Sequence, residues 1–374
     1  EGMSGVEVIF PYETRDAKVL KALLRQYNLE IAAVNVNVKA EPEFRNGGLT
    51  SVDPDIRKKA VQFIKDAKDF AAAAGANKVT CCPLGDGYEF AFQSDYGQMW
   101  KLLAETFGEA GNYRREIPLF IEYKPSETRG RCFLDTAAKT LCLLNDIGIK
   151  EMGVTLDFGH STYGNENPAE ALVLLAESDF KYYIHINDNN GKWDWDYMVA
   201  THNFLEYVEF LFYLQEYGYD DYLTSDTSPT RWDIIGTFEV NTRMSQKIWS
   251  LLLSLDRKEF TRLIQAARSG KPVEGISGTD RAMLYILAAW TGFRKSVQEG
   301  IVLRVGDRVS VDSVLQVGQQ TEQVTVTSED PLVDATRTDT SYRLRGEELA
   351  RDTIDGQELI FLPHLKRAEE IIAG

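Results

Sequence analysis

The sequence predicts an α/β fold, a TIM-type (β/α) barrel one strand short of eight, followed by a mixed α+β C-terminal appendage. Three observations support this prediction. Short apolar runs alternate with longer helical stretches up to about residue 258, which is typical of βα units on a parallel sheet. Polar residues close several runs, as in barrels whose sites lie at the carboxyl ends of strands. The alternation then stops, so we divide the chain into residues 1–258 and 259–374.

Seven apolar, β-rich runs are the candidate strands. In chain order they are Val6–Pro11, Ile31–Val38, Lys78–Pro83, Leu119–Tyr123, Gly153–Phe158, Tyr182–Ile186 and Tyr222–Ser225. Segments with helical periodicity lie between them, at Asp16–Tyr27, Asp55–Ala74, Thr136–Asp146, Pro168–Glu177 and Phe204–Tyr217. A complete barrel needs an eighth βα unit. Either the first strand is missing, or one run is wrongly assigned.

The C-terminal appendage follows no single pattern. Lys258–Ala267 and Asp280–Trp290 have helical periodicity, and Glu347–Ala373 is predicted to be a charged helix. Between them, Ile301–Thr327 alternates valines with polar residues, which predicts a hairpin or meander. We interpret this part as a separate region of composite character.

Composition narrows the classes of function. Hydrophobic residues make up 44% of the 374 residues, enough for a sizeable core, so extensive disorder is excluded. The formal charge of -16 disfavours nucleic acid and anionic membrane surfaces as partners. The four cysteines form no C-x-x-C pair, and no apolar stretch reaches the roughly 18 residues of a membrane span. We expect a cytoplasmic protein.

Four polar residues close successive candidate strands. They are Glu122, Asp157, His185 and Asp226, each separated from the next by about one βα unit. Neighbouring parallel strands would therefore deliver all four to one mouth of the barrel. Three carboxylates would repel one another there unless a cation lay between them. The set predicts a divalent metal site.

A second set of ligands follows at short spacing. His160 lies three residues after Asp157, and the loop after the sixth strand contains Asp194 and Asp196 as a D-x-D pair. These residues could bind a second cation that shares Asp157. Two ions can hold adjacent substrate oxygens and polarise a carbonyl.

Aromatic and amide groups follow the third and seventh strands. Tyr88 and Gln93 would lie over the mouth, where rings and amides suit the faces and hydroxyl groups of a sugar. Packing of the loop against the rim is the alternative. Arg231 could bind substrate hydroxyls or pair with Asp233 inside its own loop.

These residues resemble those of the xylose isomerase-like barrels, and in particular aldose–ketose isomerases similar to xylose and L-rhamnose isomerase. The likeness covers residues 1 to about 255 and rests on four short motifs taken in order. They are Glu122-Tyr-Lys124-Pro125, Asp157-Phe-Gly-His160, His185 with the Asp194-Trp-Asp196 loop, and Asp226 followed by a P-x-R-x-D segment.

The resemblance implies a metal-dependent sugar isomerase with a small sugar as its substrate. Glu122, Asp157, His185 and Asp226 would hold one ion, and Asp157, His160, Asp194 and Asp196 a second. His160 would also lie against the substrate, and Lys124 would stabilise the developing oxyanion, with Glu122 and Asp226 at the reacting carbons. Oxygen-rich ligands favour Mn²⁺, Mg²⁺ or Co²⁺, and the histidines leave Zn²⁺ open. We expect a homo-oligomer.

Several alternatives stay open. Related ketose epimerases close the eighth strand with Glu and use it as a base, whereas this chain has Asp226, which favours isomerase chemistry. An epimerase, a C-glycoside-cleaving lyase, or a non-catalytic truncated or fused barrel would fit the same scaffold. A strand-ending acid can also be only a helix N-cap, and Lys124 only a surface lysine. Glu7 and either Asn35 or Asn37 could face the pocket, and period-two alternation does not decide which side they take.

The appendage has likenesses of its own. Thr279–Lys295 resembles the helix and T-G-x-R turn of tyrosine recombinases, with Arg294 as the phosphate ligand. Residues 301–340 resemble the N-terminal β domain of an outer-membrane transporter, and about the last thirty residues resemble a helicase fragment. A DNA recombinase is disfavoured by the charge and by the missing H-x-x-R and tyrosine context. We assign the appendage no function.

Overall fold

The computed structural model describes residues 2–291, 350–354 and 357–361. It divides into two units, Glu1–Leu252 and Leu253–Gly374. The strands of the first unit are β1 (Gly5–Phe10), β2 (Glu30–Val36), β3 (Val79–Cys81), β4 (Gly87–Tyr88), β5 (Leu119–Glu122), β6 (Arg131–Cys132), β7 (Gly153–Asp157), β8 (Lys181–Ile186) and β9 (Leu223–Ser225). Its helices are α1 (Ala17–Tyr27), α2 (Pro54–Ala74), α3 (Tyr96–Asn112), α4 (Ala137–Ile147), α5 (Phe158–Tyr163), α6 (Pro168–Ala176), α7 (Phe204–Glu216) and α8 (Ile234–Ser254), with a 3₁₀ turn at Pro42–Asn46.

The first unit is a nearly closed barrel of seven parallel strands. Their order is β1-β2-β3-β5-β7-β8-β9, and every neighbouring pair is parallel. All seven predicted strands are present, so the α/β barrel class is confirmed. In the described residues β1 and β9 are the sheet edges, and a cavity of about 1210 Å³ lies between them and α8. The gap has the place that an eighth strand takes in a complete barrel.

Local chemistry sets where the barrel helices begin and end. Asp16 and Thr136 accept hydrogen bonds from the first turns of α1 and α4, which satisfies otherwise unpaired amides. Pro54 begins α2, where its missing N–H costs nothing. Gly75, at φ 92°, ends α2 in the left-handed conformation that favours glycine. These signals lie in the sequence, which is why the predicted helices agree with the structure to within a residue or two.

The antiparallel pair β4 and β6 is a small rim that joins the loops following β3 and β5. Gly87 pairs with Cys132, and Tyr88 with Arg131. A Cβ on Gly87 would lie 2.1 Å from the carbonyl oxygen of Arg131, so only glycine fits this approach. The rim fixes the loop that carries Tyr88.

The second unit contains α9 (Arg257–Arg268), β10 (Pro272–Val273), β11 (Ile276–Ser277), α10 (Gly278–Thr291), β12 (Ala350–Ile354) and β13 (Gln357–Phe361). Strands β10 and β11 form a short hairpin, and Phe260 of α9 stacks on Tyr285 of α10 with ring centroids 5.9 Å apart. The helices predicted near residues 258–267 and 280–290 are therefore present.

One prediction for this unit is wrong. Instead of a charged helix, β12 and β13 form an antiparallel pair within residues 347–373. The sequence between these strands contains an Asp-Gly dipeptide, which by residue type favours a hairpin over a helix. The predicted meander at 301–327, Arg294 and the segment 301–340 lie outside the described residues.

Two further findings concern the whole described chain. No helix in the described ranges is long and apolar enough to cross a bilayer. The four cysteines, at positions 81, 82, 132 and 142, are free thiols.

Candidate metal centre

Four side chains converge at the carboxyl ends of neighbouring strands. Glu122 and Asp157 are the last residues of β5 and β7, His185 is the penultimate residue of β8, and Asp226 follows β9. One ligand atom from each lies within 4.8 Å of the others. We call these four residues the ligand cluster. Three of them are buried, whereas the side chain of Asp226 is 50% exposed, so solvent reaches the cluster on that side.

The orientation of His185 fits a metal ligand. Its Nε2 lies 3.2 Å from Oε2 of Glu7. Its Nδ1 lies 3.5 Å from Oε1 of Glu122 and 3.6 Å from Oδ2 of Asp226, too far for good hydrogen bonds. This buried nitrogen has no hydrogen-bond partner in the described part of the chain. An unpaired imidazole nitrogen among three carboxylates is the donor set that suits a divalent cation.

A second group of charges adjoins the ligand cluster. Asp157 caps α5 by accepting the backbone N–H of His160 at 2.8 Å, so this acid also has the structural role considered above. Nδ1 of His160 lies 2.9 Å from the carbonyl oxygen of Tyr123, and its Nε2 lies 3.2 Å from Oδ2 of Asp194. Nζ of Lys124 lies 2.7 Å from the same oxygen. Lys124 is therefore a nearly buried partner of Asp194, not a surface lysine.

Asp194 and Asp196, expected at a second ion, are placed differently from each other. Oδ1 of Asp194 is buried and has no partner in the described residues, which leaves one oxygen available as a ligand. Asp196 accepts a hydrogen bond from Nδ2 of Asn187 at 3.4 Å. Among residues 2–291 and the two short C-terminal strands, only the ligand cluster has metal-ligand spacing, and neither aspartate belongs to it.

Burial and crowding shift the pKa values at the site. Burial raises the pKa of Asp157 to about 6, and burial with the neighbouring Asp194 raises that of Asp196 to about 8. Burial alone would lower the pKa of His160, but Asp157 and Asp194 raise it to about 10. Nearby glutamates likewise outweigh burial at His185 and raise its pKa well above the ordinary value. The site thus has an excess of negative charge that a divalent cation would neutralise.

Two polar side chains at this site carry roles that the sequence did not assign. Oε1 of Glu7 accepts hydrogen bonds from Asn35 at 3.2 Å and from Thr80 at 3.1 Å, so Glu7 and Asn35 do face the barrel interior. Asn187 donates to Oδ2 of Asp157 at 3.0 Å and accepts from the backbone N–H of Gly159 at 2.7 Å. For Glu7, the signal in the sequence was an acidic residue within the otherwise apolar run VEVIF. For Asn187, the only signal in the sequence was its position two residues after His185, in the segment HIN.

Three of the expected sugar-binding residues, Tyr88, Gln93 and Arg231, lie in loops that follow strands of the barrel. Gln93 is exposed, and its Oε1 accepts the backbone N–H groups of Glu89 and Phe90, so it closes its own loop. The ring of Tyr88 packs 5.7 Å from that of Phe133, which is the rim packing named as its alternative. Arg231 is exposed in the segment between β9 and α8. Their contacts with substrate stay predictions.

The comparisons with known proteins agree with this fold. A family model described as xylose isomerase-like TIM barrel matches residues 1–241. This chain belongs to the xylose isomerase-like TIM barrel family. Curated relatives named xylose isomerase include one from Thermus thermophilus, 24% identical over 201 residues, and one from Thermus caldophilus, 24% identical over 189 residues. The alignments cover 52% and 49% of this chain, respectively, and the same shares of the relatives.

Solved structures extend the likeness in fold. A D-tagatose 3-epimerase-like protein has a TM-score of 0.52 at 24% identity, and an L-ribulose 3-epimerase has 0.53 at 17%. Each match covers 68% of this chain and 89% of the other. The chain spans about half the length of the curated relatives it matches. At these identities the solved structures show a shared fold and do not define the reaction of this chain.

Proposed function

We propose that this protein is a divalent-metal-dependent sugar isomerase that interconverts an aldose and a ketose. The observation that carries the proposal is the ligand cluster, in which the buried Nδ1 of His185 makes no hydrogen bond within the described residues. Family membership supports a small sugar as the substrate. Mn²⁺, Mg²⁺ or Co²⁺ suits three carboxylates and one imidazole, and Zn²⁺ is also compatible with this set.

Each residue of the cluster has a proposed role. Glu122, Asp157, His185 and Asp226 would hold the ion, which when bound polarises substrate oxygens and lowers the pKa of a hydroxyl group. Glu122 and Asp226 would also act at the reacting carbons of the sugar. Asp226 is half exposed, which supports entry of the sugar from its side of the cluster.

Lys124 is proposed to stabilise negative charge on the substrate carbonyl oxygen. Burial alone would lower the pKa of Lys124, but Asp194 raises it, so the ammonium form persists at neutral pH. His160 lies 3.3 Å from Glu122 through its Nδ1, which joins this second group to the ligand cluster. A preorganised ammonium group with few waters around it acts strongly on a developing oxyanion.

A second ion at Asp157, His160, Asp194 and Asp196 is a further part of the proposal. The unpaired Oδ1 of Asp194 supports it. Lys124 and His160 already occupy Oδ2 of Asp194, so this ion would bind more weakly than the first. Assembly into a homo-oligomer likewise stays a proposal.

The test is a product assay with a panel of aldoses and ketoses. Metal-stripped protein is supplied with Mn²⁺, Mg²⁺ or Co²⁺, and products are identified by NMR. We expect aldose–ketose interconversion that needs a metal and that falls at least about 100-fold in Lys124→Met, since one preorganised charge contributes about this much. Epimerisation of a ketose without aldose formation would contradict the isomerase proposal and indicate an epimerase. Cleavage of a C-glycoside would indicate a lyase. Metal binding without turnover of any sugar would favour a non-catalytic barrel.

A further inference from the structure

We propose that Glu7 is a positioning residue, which keeps Nε2 of His185 as a hydrogen-bond donor and so turns Nδ1 toward the ligand cluster. The inference rests on the proposed metal site. It concerns a side chain that is outside the ligand set and 178 residues from His185 in sequence.

The geometry divides the two carboxylate oxygens of Glu7 between two tasks. Oε1 is fixed by Nδ2 of Asn35 on β2 and by the hydroxyl of Thr80 on β3. Oε2 is then directed at Nε2 of His185, on β8 across the barrel, at 3.2 Å. The side chain of Glu7 is only 9% exposed, so water competes little for these bonds.

When Nε2 is fixed, the orientation of the imidazole ring is fixed, and so is the ring atom that faces the ligand cluster. Rotation of the ring by half a turn would exchange Nδ1 with the Cδ2 carbon and remove the ligand atom from the cluster. The hydrogen bond to Glu7 opposes that rotation, because the same turn would put the Cε1 carbon in place of Nε2. Tyr183 packs edge-on against the ring, with centroids 5.5 Å apart, and restricts it further. Partners of this kind orient metal-binding histidines in general.

Removal of a nearby negative charge would also weaken cation binding without any effect on orientation. The variants Glu7→Gln and Glu7→Leu separate the two effects. Glutamine keeps an acceptor for Nε2 but loses the charge. Its NH2 group would replace Oε1, and the Thr80 hydroxyl can rotate and the Asn35 amide can flip so that both accept from it. Leucine loses both the acceptor and the charge. A Glu41→Gln variant, which changes a carboxylate paired with Lys59 outside the ligand cluster, controls for net charge.

The first measurement needs no metal. Nitrogen-15 NMR of histidine-labelled, metal-free protein should show a low-field proton on Nε2 of His185, assigned by its loss in His185→Asn. We expect Glu7→Gln to retain this proton with a smaller low-field shift, and Glu7→Leu to lose it to exchange with water. Its absence from the wild-type protein would overturn the proposal even if the metal site is real.

The second measurement is calorimetric titration of metal-stripped proteins with Mn²⁺. Loss of such an orienting partner costs about 10–100-fold in metal affinity. We expect that loss in Glu7→Leu, less than about tenfold in Glu7→Gln, and none in Glu41→Gln. Equal losses in the two Glu7 variants would mean that Glu7 acts by charge alone. If Glu7→Leu does not fold, Glu7→Gln alone decides the question. A Glu7→Gln protein that lacks the low-field proton but binds Mn²⁺ with wild-type affinity refutes the positioning role. A wild-type protein that binds no Mn²⁺ would refute the proposed function, while the NMR result would still decide the hydrogen bond.

Discussion

The buried pair between Lys124 and Asp194 makes a quantitative prediction about stability. Nζ of Lys124 lies 2.7 Å from Oδ2 of Asp194, and the two side chains are 12% and 3% exposed. Replacement of Lys124 by Met keeps most of the side-chain volume but removes the charge. Asp194 would then be a buried carboxylate with a single cationic neighbour, since Nε2 of His160 stays 3.2 Å away.

The expected size of the effect follows from this environment. Removal of one partner of a buried ion pair costs about 3–5 kcal/mol, because the other charge is left without compensation. His160 still serves the same oxygen, so we expect the free energy of unfolding to fall by about 2–3 kcal/mol. For a unit of this size the unfolding midpoint would fall by roughly 4–12 °C.

Urea and thermal unfolding of the metal-free protein, followed by circular dichroism, measure this change. Lys58→Met is the matched control, because Lys58 lies 3.1 Å from Asp55 in a pair that is 76% and 86% exposed, and it should have no measurable effect. In an Asp194→Asn background, Lys124→Met should cost far less than in the wild type. Wild-type stability in Lys124→Met, or the same cost in both backgrounds, would refute the assigned ion pair.

Two more predictions concern protonation and packing. The folded state keeps the proton of His160 up to a pKa of about 10 and that of Asp196 up to about 8, both above the unfolded values, so the metal-free protein should lose stability as the pH rises from about 6.5 to 10. Urea titrations at several pH values check this trend, which excess Mg²⁺ should reduce; stability that rises over this range would contradict it. Gly159→Ala should lower stability by about 1–3 kcal/mol, because its Cβ would lie 2.2 Å from Oδ1 of Asn187. Gly108→Ala is the control. Gly108 lies within α3, and the atom nearest to its added Cβ would be 3.8 Å away, so this variant should be neutral or stabilising. Equal effects of Gly159→Ala and Gly108→Ala would show that Asn187 is not held tightly.

The parts of the fold that local patterns determine were predictable. Apolar runs gave the seven strands, and capping residues such as Asp16 and Thr136 marked the starts of helices. The four cluster residues could be named because parallel strands deliver their carboxyl ends to one mouth. The antiparallel pair of β12 and β13 was missed because the charged composition was given more weight than the Asp-Gly dipeptide in the sequence.

Contacts that cross the barrel could not be predicted in this way. Glu7 meets His185 only because β1 and β8 face each other across the nearly closed sheet, and alternation along β1 leaves its direction undetermined. Gln93 was an attractive sugar ligand by residue type, yet hydrogen bonds within its loop use its amide. Spacing likewise could not show that Asp194 lies between Lys124 and His160.

The most direct test of the account is the metal-binding capacity of the ligand cluster. Metal-stripped wild-type protein should bind Mn²⁺ in a calorimetric titration. Asp157→Asn, which can still cap α5, and His185→Ala should lose that binding while they remain folded. His202→Ala is the matched control, because this imidazole stacks on Tyr197 and lies outside the cluster, and it should bind as the wild type does. No Mn²⁺ binding by the wild type, or unchanged binding in His185→Ala, would contradict the central claim.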